Sequence, residues 1–326
     1  MRQTTEMMKK LKTERHHWWP EALSQFWADA NGAVTRVSSD GKVLTQEPRK
    51  LRFIKNAHHI KMAREPTVWD HSYERAFDAA DNSFPGLVGW LRAQLPKEPT
   101  TSEGLSDRLT PVRISQADHE RMAECVASLI VRSPGMRHAV RVTTEYYRER
   151  IGLPEPKADE SLLGANLRSG QRMLGDTMKR RGKFAILHSP DRELIFADGF
   201  LHNISGFVNQ PSSPQCLVPI TPEIALFYTS LLSYRSFPRA FCLSLNAEEA
   251  RLVNRLTQIY AGDYIFYRTE CPVLVEEFTR DVHLQLRYHA HPWLEELSTA
   301  ICDTYYGSDA FFCAKEVSCV IRILDS

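Results

Sequence analysis

The sequence predicts an α+β protein with an N-terminal hairpin, a helical middle, and a mixed or antiparallel sheet contributed by N-terminal and C-terminal strands. Three observations carry that prediction. An apolar period of 3.6 residues runs through SQADHERMAECVASLIVR. Valines flank a Ser39-Asp40-Gly41 turn in the manner of a hairpin. From residue 184 onward, short apolar runs separated by turn residues replace the long amphipathic ones.

The bulk composition narrows the class. A chain of 326 residues suffices for one large domain or two ordinary ones. Hydrophobic residues make up 43% and charged residues 25%, the balance of a globular protein rather than a disordered one. Lys+Arg number 41 and Asp+Glu 40, so the net charge of +1 excludes a long-range field that gathers nucleic acid. Any nucleic acid or nucleotide would have to bind through a local site. The seven cysteines are odd in number, scattered and without a Cys-x-x-Cys pair. That excludes a zinc ribbon and a disulfide framework, and predicts reduced thiols in a cytoplasmic protein. The N-terminus lacks the apolar stretch of a secretory signal, and no run of about 18 apolar residues occurs, so no membrane partner is expected.

Taken in order, residues 1–13 read as a flexible tail. Residues 14–95 read as an N-terminal His/Trp hairpin and acidic helix region. Within it, Val34 and Val37 lead into the turn and Val43 returns the chain. The segment WDHSYERAFDAADNSFPGLVGWLRAQL predicts a helix interrupted near Pro85-Gly86. Residues 96–112, rich in Pro, Ser, Thr and Gly, read as a linker. Residues 113–326 form a helical and α+β region, packed with 14–95 as one compact unit. Here Met122, Cys125, Val126, Leu129 and Ile130 make the clearest helical stripe, closed by Ser133-Pro134-Gly135. Further helices are predicted to about residue 150 and over SLLGANLRSGQRMLGDTMKRRGK. Strands are predicted in FAILHSPDRELIFADG. In CLVPITPEIALFYTSLL a strand is followed by a helix with Thr221 as N-cap and Pro222 as first residue. Asn246 caps a helix carrying Leu252, Val253, Leu256 and Ile259, and Tyr264 to Tyr267 make a strand. The run VSCVIRIL adds a last strand.

The chemistry-bearing residues concentrate near the N-terminus. ERHHWWPEALSQFW sets His16 and His17 beside two tryptophans, and His58 and His59 follow 42 residues later. Imidazole is both a metal ligand and a proton carrier near neutral pH. Neighbours on a strand face opposite ways, so at most one histidine of each pair points into a shared site. Asp70, Glu74, Asp78 and Asp81, spaced 4, 4 and 3, would line one face of the predicted helix. Their repulsion is offset by solvent, by basic partners, or by a divalent metal ion on oxygen ligands. A histidine-plus-carboxylate site of this kind suits metal-assisted hydrolysis. The order His-His-x-x-Pro, hairpin, Asn56 and then His58 or His59 resembles the His-Asn-His nucleases, in which one histidine is base and others face the metal. In the opposing, non-catalytic reading, His16 to Trp19 form a packed corner and the acidic helix docks a protein partner. No Walker loop, GxGxxG, GxSxG or kinase signature is present. Arg132 and Arg137, flanking Ser-Pro-Gly, suit a helix C-terminus or clamp an anion. Asp198 ends the strand LIFAD, and His289 and His291 share a strand face without companion ligands.

A longer order of motifs points to a family. His17-Trp18-Trp19-Pro20 is followed by Phe26, by Asn31-Gly32 and a hairpin, and by acidic positions around Glu74. Then come Arg-Ser-Pro-x-x-Arg at 132–137, a strand ending in Asp198, Pro-x-Thr-Pro at 219–222, and VNRL…AGDYIFY. Over residues 14–268 this resembles the bacterial domain-of-unknown-function family four-two-three-eight. Where that family shows Thr-Ser-Asp-x-Pro, this chain has Phe196-Ala197-Asp198-Gly199-Phe200. The resemblance supplies an architecture and a bacterial-type origin, not a reaction. It implies that His17, Glu74, Arg132, Arg137 and Asp198 converge in a phosphate-handling or nuclease site. The resulting expectation is a metal-assisted phosphodiester hydrolase, an effector in stress or phage defence. In it His17, Glu74 and Asp198 act in catalysis, His58, His59 and Asp78 serve the metal, and Arg132 and Arg137 hold phosphate.

Overall fold

The computed structural model describes residues 15–51, 53–55, 57–60, 71–97, 104–152, 159–203, 214–231, 237–280 and 291–303. It is an α+β fold. Six strands form the larger sheet, in the order Leu201–His202, Gln215–Thr221, Ile224–Thr229, Lys183–His188, Ala240–Ser244 and Thr110–Val112. The pair Lys183–His188 and Ala240–Ser244 runs parallel and every other pair antiparallel. Nearly every residue of the central strands is buried, as a sheet covered on both faces requires.

Strand alternation shows what covers each face. Lys183, Thr229 and Gln215 lie side by side across three strands. Their side chains meet the Pro292–Asp303 helix: Lys183 donates to the Ile301 carbonyl (3.0 Å), and Thr229 and Gln215 both bond the Ser298 hydroxyl. The next row, with Phe184 and Tyr228, points the other way. There the His119 ring of the Gln116–Arg132 helix stands edge-on to Phe184 at 5.5 Å.

That helix forms as its sequence dictates. Ser115 accepts the Asp118 amide at the N-cap, and Met122, Cys125, Val126, Leu129 and Ile130 are all buried. The Ala247–Ile259 helix is opened by a full capping box between Asn246 and Glu249.

A second sheet, in the order Val43–Gln46, Val34–Ser38, Tyr264–Tyr267, Phe196–Ala197, joins the N-terminal hairpin to C-terminal strands. The hairpin turns where expected, with Gly41 at φ +81, a conformation that favours glycine. Trp18 and Trp19 fix the N-terminal segment to this sheet. Trp19 stacks on Phe196 at 4.3 Å and packs against Phe266 at 4.8 Å, and Trp27 donates its indole N–H to the Ile220 carbonyl. Most buried apolar residues from Trp18 to Ile301 form one core, and Val37, Ile195, Ala197, Ile265 and Phe278 belong to a second, smaller cluster.

Four local expectations are corrected. Thr221 does not open a helix. Its hydroxyl accepts the Glu223 amide at 3.3 Å in a hairpin turn, and Ile224–Thr229 continues as a strand. A short, wholly apolar run suits strand and helix alike, and pairing with Lys183–His188 decides between them. The acidic helix begins at Asp78, not near residue 69, and runs unbroken to Ala93 through Pro85. Its stripe of Ala80, Phe84, Leu87, Val88 and Leu91 is buried, and that packing outweighs the backbone bond lost at proline. Glu74 precedes the helix on a short 3-10 turn, Glu74–Ala76, so it shares no helical face with Asp78 and Asp81. The expected linker carries a short helix, Leu105–Arg108, and the edge strand Thr110–Val112. The tail 1–13, Asp70, His289 and the strand VSCVIRIL lie outside the described residues. Among the described residues, no helix is long and apolar enough to cross a membrane.

Candidate functional site

Strand parity selects one histidine of the first pair. Arg15–His17 pairs antiparallel with Phe53–Lys55. His16 therefore turns inward and is buried, while His17 is half-buried with its ring 4.5 Å from that of Phe53. Beyond Lys55 the chain turns at Ala57-His58 into His59–Ile60, which pairs with His71–Ser72. The Tyr73 amide donates to the His58 carbonyl (2.9 Å), and this sets Glu74 beside His58.

Three segments thus meet. The His58 backbone N–H donates to His16 Nδ1 at 3.1 Å. His58 Nδ1 contacts Glu74 Oε2, and His16 Nε2 lies 3.9 Å from the same oxygen. The two imidazole rings are 4.9 Å apart, and Tyr73 and Phe77 pack against that of His58. One ligand atom from each of His16, His58 and Glu74 lies within 4.8 Å of the others, so the group can hold a metal ion. Both imidazoles are buried, whereas 40% of the Glu74 side chain is exposed, so solvent reaches the group through the carboxylate. Burial pushes the Glu74 carboxyl above its ordinary range; His16 and Arg132 oppose that shift, and Asp81 adds to it.

Arg132 and Arg137 frame this group. Ser133 is at once the C-cap of the Gln116–Arg132 helix and the N-cap of Pro134–Arg150, accepting the Met136 amide at 3.1 Å. Pro134 suits the first position of the second helix. The corner throws one arginine to either side. Arg132, wholly buried, forms a two-point ion pair with Asp81 and lies 5.1 Å from the Phe77 ring centre. Arg137 donates to the Ala57 carbonyl at 2.7 Å, which also accepts the Tyr73 hydroxyl at 3.0 Å. Both arginines therefore bind protein groups that position His58 and Glu74.

The remaining expected site residues lie differently. Asp198 follows the Phe196–Ala197 strand and accepts the amides of Gly262 (2.6 Å), Asp263 (2.8 Å) and Tyr264 (3.2 Å). Burial pushes its carboxyl up to about 7 against the pull of those amides. Its carbonyl accepts the Gly135 amide at 2.8 Å. The backbones approach so closely here that a Cβ on Gly135 would come within 2.9 Å of Gly199 Cα, and one on Gly199 would overlap the Tyr260 carbonyl. Asp198 is thus a clasp between backbone segments, with its oxygens turned to amides and not to imidazoles. Asp78 is exposed on the first turn of its helix, and the His59 side chain lies outside what the structure describes. The structure brings together His58, Glu74 and the two arginine frames. The histidine that joins them is His16, which the expected site passed over for His17, and parity against Phe53–Lys55 is the signal that distinguishes them. Asp81 was visible only as part of an acidic row.

Family models, curated proteins and solved structures were each compared with the chain, and none matches it.

Proposed function

We propose that this chain is a metal-assisted hydrolase of phosphodiesters whose centre is His16, His58 and Glu74. The observation that carries the reading is the gathering of two nitrogens and one carboxylate oxygen, from three separate segments, within 4.8 Å. Such a donor set suits Zn²⁺ or a similar first-row ion. A bound divalent ion would stabilise charge on a phosphoryl oxygen and acidify the water beside it. Glu74, the solvent-facing member, contacts His58 Nδ1 and lies 3.9 Å from His16 Nε2, so an ion would sit between one oxygen and two nitrogens. Arg132 and Arg137 are positioning residues, tying Asp81 and Ala57 to the frame.

One observation favours a second reading, a proton relay that needs no metal. Because His16 Nδ1 accepts the His58 amide, a neutral His16 carries its proton on Nε2, toward Glu74. Glu74 then lies in contact with one imidazole and 3.9 Å from the other, where a small approach of His16 would make it the acceptor for both.

Zinc titration by calorimetry, alongside hydrolysis of bis(p-nitrophenyl) phosphate, tests both. The expected result is one ion per chain and ion-dependent hydrolysis, with both lost in His58→Ala and Glu74→Gln and both kept in Asp78→Ala. Hydrolysis that survives chelation selects the relay. If the wild type neither binds zinc nor hydrolyses the diester, both readings fall.

A further inference from the structure

The Val43–Gln46 strand stands at an open margin of the second sheet. It pairs with Val34–Ser38 on one side and, among the described residues, with nothing on the other. The hairpin reveals which of its backbone groups face outward. The Ser38 amide donates to the Lys42 carbonyl at 3.0 Å, which makes Ser38 and Lys42 a hydrogen-bonded pair. Alternation then makes Arg36 and Leu44 a bonded pair, and Val37 with Val43 and Thr35 with Thr45 non-bonded ones. The Thr35 and Thr45 hydroxyls, 2.9 Å apart, show the close approach of a non-bonded pair. The amides and carbonyls of Val43 and Thr45 therefore point away from their own sheet. The side chains are as open as the backbone: Val43 is 55% and Leu44 37% exposed, one on each face of the strand. Val43 lies beside buried Val37, so it carries the small cluster of Val37, Ile265 and Phe278 out to the surface. Edge strands are commonly blunted by a charge or a proline, and Val-Leu-Thr-Gln contains neither.

We infer that this edge is an interface between two copies of the chain, paired antiparallel about a twofold axis through Leu44. Symmetry and bonding parity select that register together. A twofold axis normal to a sheet keeps every residue on its own face, so a residue opposes itself or one an even number of positions away. With Leu44 opposite its own counterpart, Val43 opposes Thr45 of the second copy, and Thr45 opposes its Val43. Those are the residues whose backbone groups point outward, so about four interchain hydrogen bonds form. Leu44 takes the non-bonded position, where opposed side chains lie closest, and the two leucines cover each other. The flanks match in charge. Asp40 and Lys42 of one copy run alongside Glu47 and Arg49 of the other, replacing the exposed intrachain pairs Lys42 with Asp40 and Arg49 with Glu47. Exposed pairs of that kind hold little energy, so exchanging partners costs little. An unrelated extended peptide would gain the backbone bonds without the leucine contact or the charge match. The other margin of the sheet, Phe196–Ala197, is two residues long and buried, so pairing closes at a dimer and does not propagate. One short strand pair is small against the ~1,200 Å² of a stable complex, which sets this dimer in the weak range.

The test is sedimentation velocity of the full chain at concentrations up to about 500 μM. A monomer–dimer equilibrium with Kd of about 100 μM is expected, with no larger species. Leu44→Glu and Leu44→Lys should each leave a monomer, because the register sets like charges face to face. An equimolar mixture of the two should associate again, because opposite charges then meet across the axis. Leu44 is exposed, so circular dichroism should show both variants folded as the wild type is. Hydrogen exchange of the wild type, followed by mass spectrometry, reads the edge without any substitution. Exchange over residues 43–46 should slow as concentration rises, since the outward amides of Val43 and Thr45 become bonded. A wild type that stays monomeric at about 500 μM, a dimer that Leu44→Glu leaves intact, or a mixture of variants that stays monomeric overturns the inference. His16, His58 and Glu74 take no part in this edge, so its outcome is independent of the proposed hydrolase.

Discussion

Glu74 and Asp198 are both carboxylates whose acidity burial weakens, yet their surroundings commit them to opposite work. Asp198 spends its oxygens on three backbone amides that belong to the fold. Glu74 faces two imidazoles and keeps 40% of its side chain open to solvent. The difference teaches that burial alone does not mark a reactive carboxylate. The partners decide, because an amide cannot exchange its proton with an acid near neutral pH and an imidazole can.

Substitution breaks that comparison most directly. Asp198→Ala leaves three donors without an acceptor in a dry interior, at about 1–3 kcal/mol for each unsatisfied group. The loss should total about 4 kcal/mol or more by urea denaturation. Glu74→Gln should change stability by about 1 kcal/mol or less, as partly exposed positions do. If the two variants lost equal stability, Glu74 would be as structural as Asp198.

The next effect sharpens the role of the arginine frame. Arg132→Met leaves Asp81 without its partner, and because the Asp81 side chain is 36% exposed and solvent can take it up, the cost should be about 1–2 kcal/mol. Arg132→Met combined with Asp81→Leu should recover most of that loss in a double-mutant cycle, while still displacing Phe77 and weakening zinc binding. Recovery of stability together with full zinc affinity would show that the pair does not position the site.

A smaller effect concerns two buried imidazoles whose burial outweighs any neighbouring charge. Burial pushes His119 and His202 from 6.5 down to about 4. A group depressed in the folded state contributes stability that is complete above 6.5 and is lost as pH falls toward about 4, because the unfolded chain takes up the proton first. Urea midpoints measured from pH 7 down to pH 4.5 should therefore fall more steeply for the wild type than for His119→Leu. Parallel curves would mean that His119 takes up its proton as readily in the folded protein as in the unfolded chain.

Much of the fold was legible because its signals are local. The Ser115 cap and the stripe from Met122 to Ile130, the Asn246 box, and the glycine turn at 41 each depend on residues a few positions apart. Thr221 was misread because its hydroxyl makes the same short bond to an amide in a hairpin turn as in a helix cap. The site was half legible. His58 and Glu74 come together across one short strand pair, within reach of sequence reasoning. The choice between His16 and His17 depended on the strand's partner, some 38 residues away. The clasp of Asp198 spans 64 residues to Gly262 and has no local signature beyond the glycines it needs.

The shared serine at the corner between the two middle helices has a mechanical consequence. One end of that corner is tethered through Arg132 to Asp81, the other through Arg137 to Ala57, and Gly135 is fastened to Asp198. Three distant stretches of chain therefore hang from a stretch of six residues. The outer helix thus has a short route to the His58 segment, and a ligand held between the imidazoles would meet the same tethers from the other side.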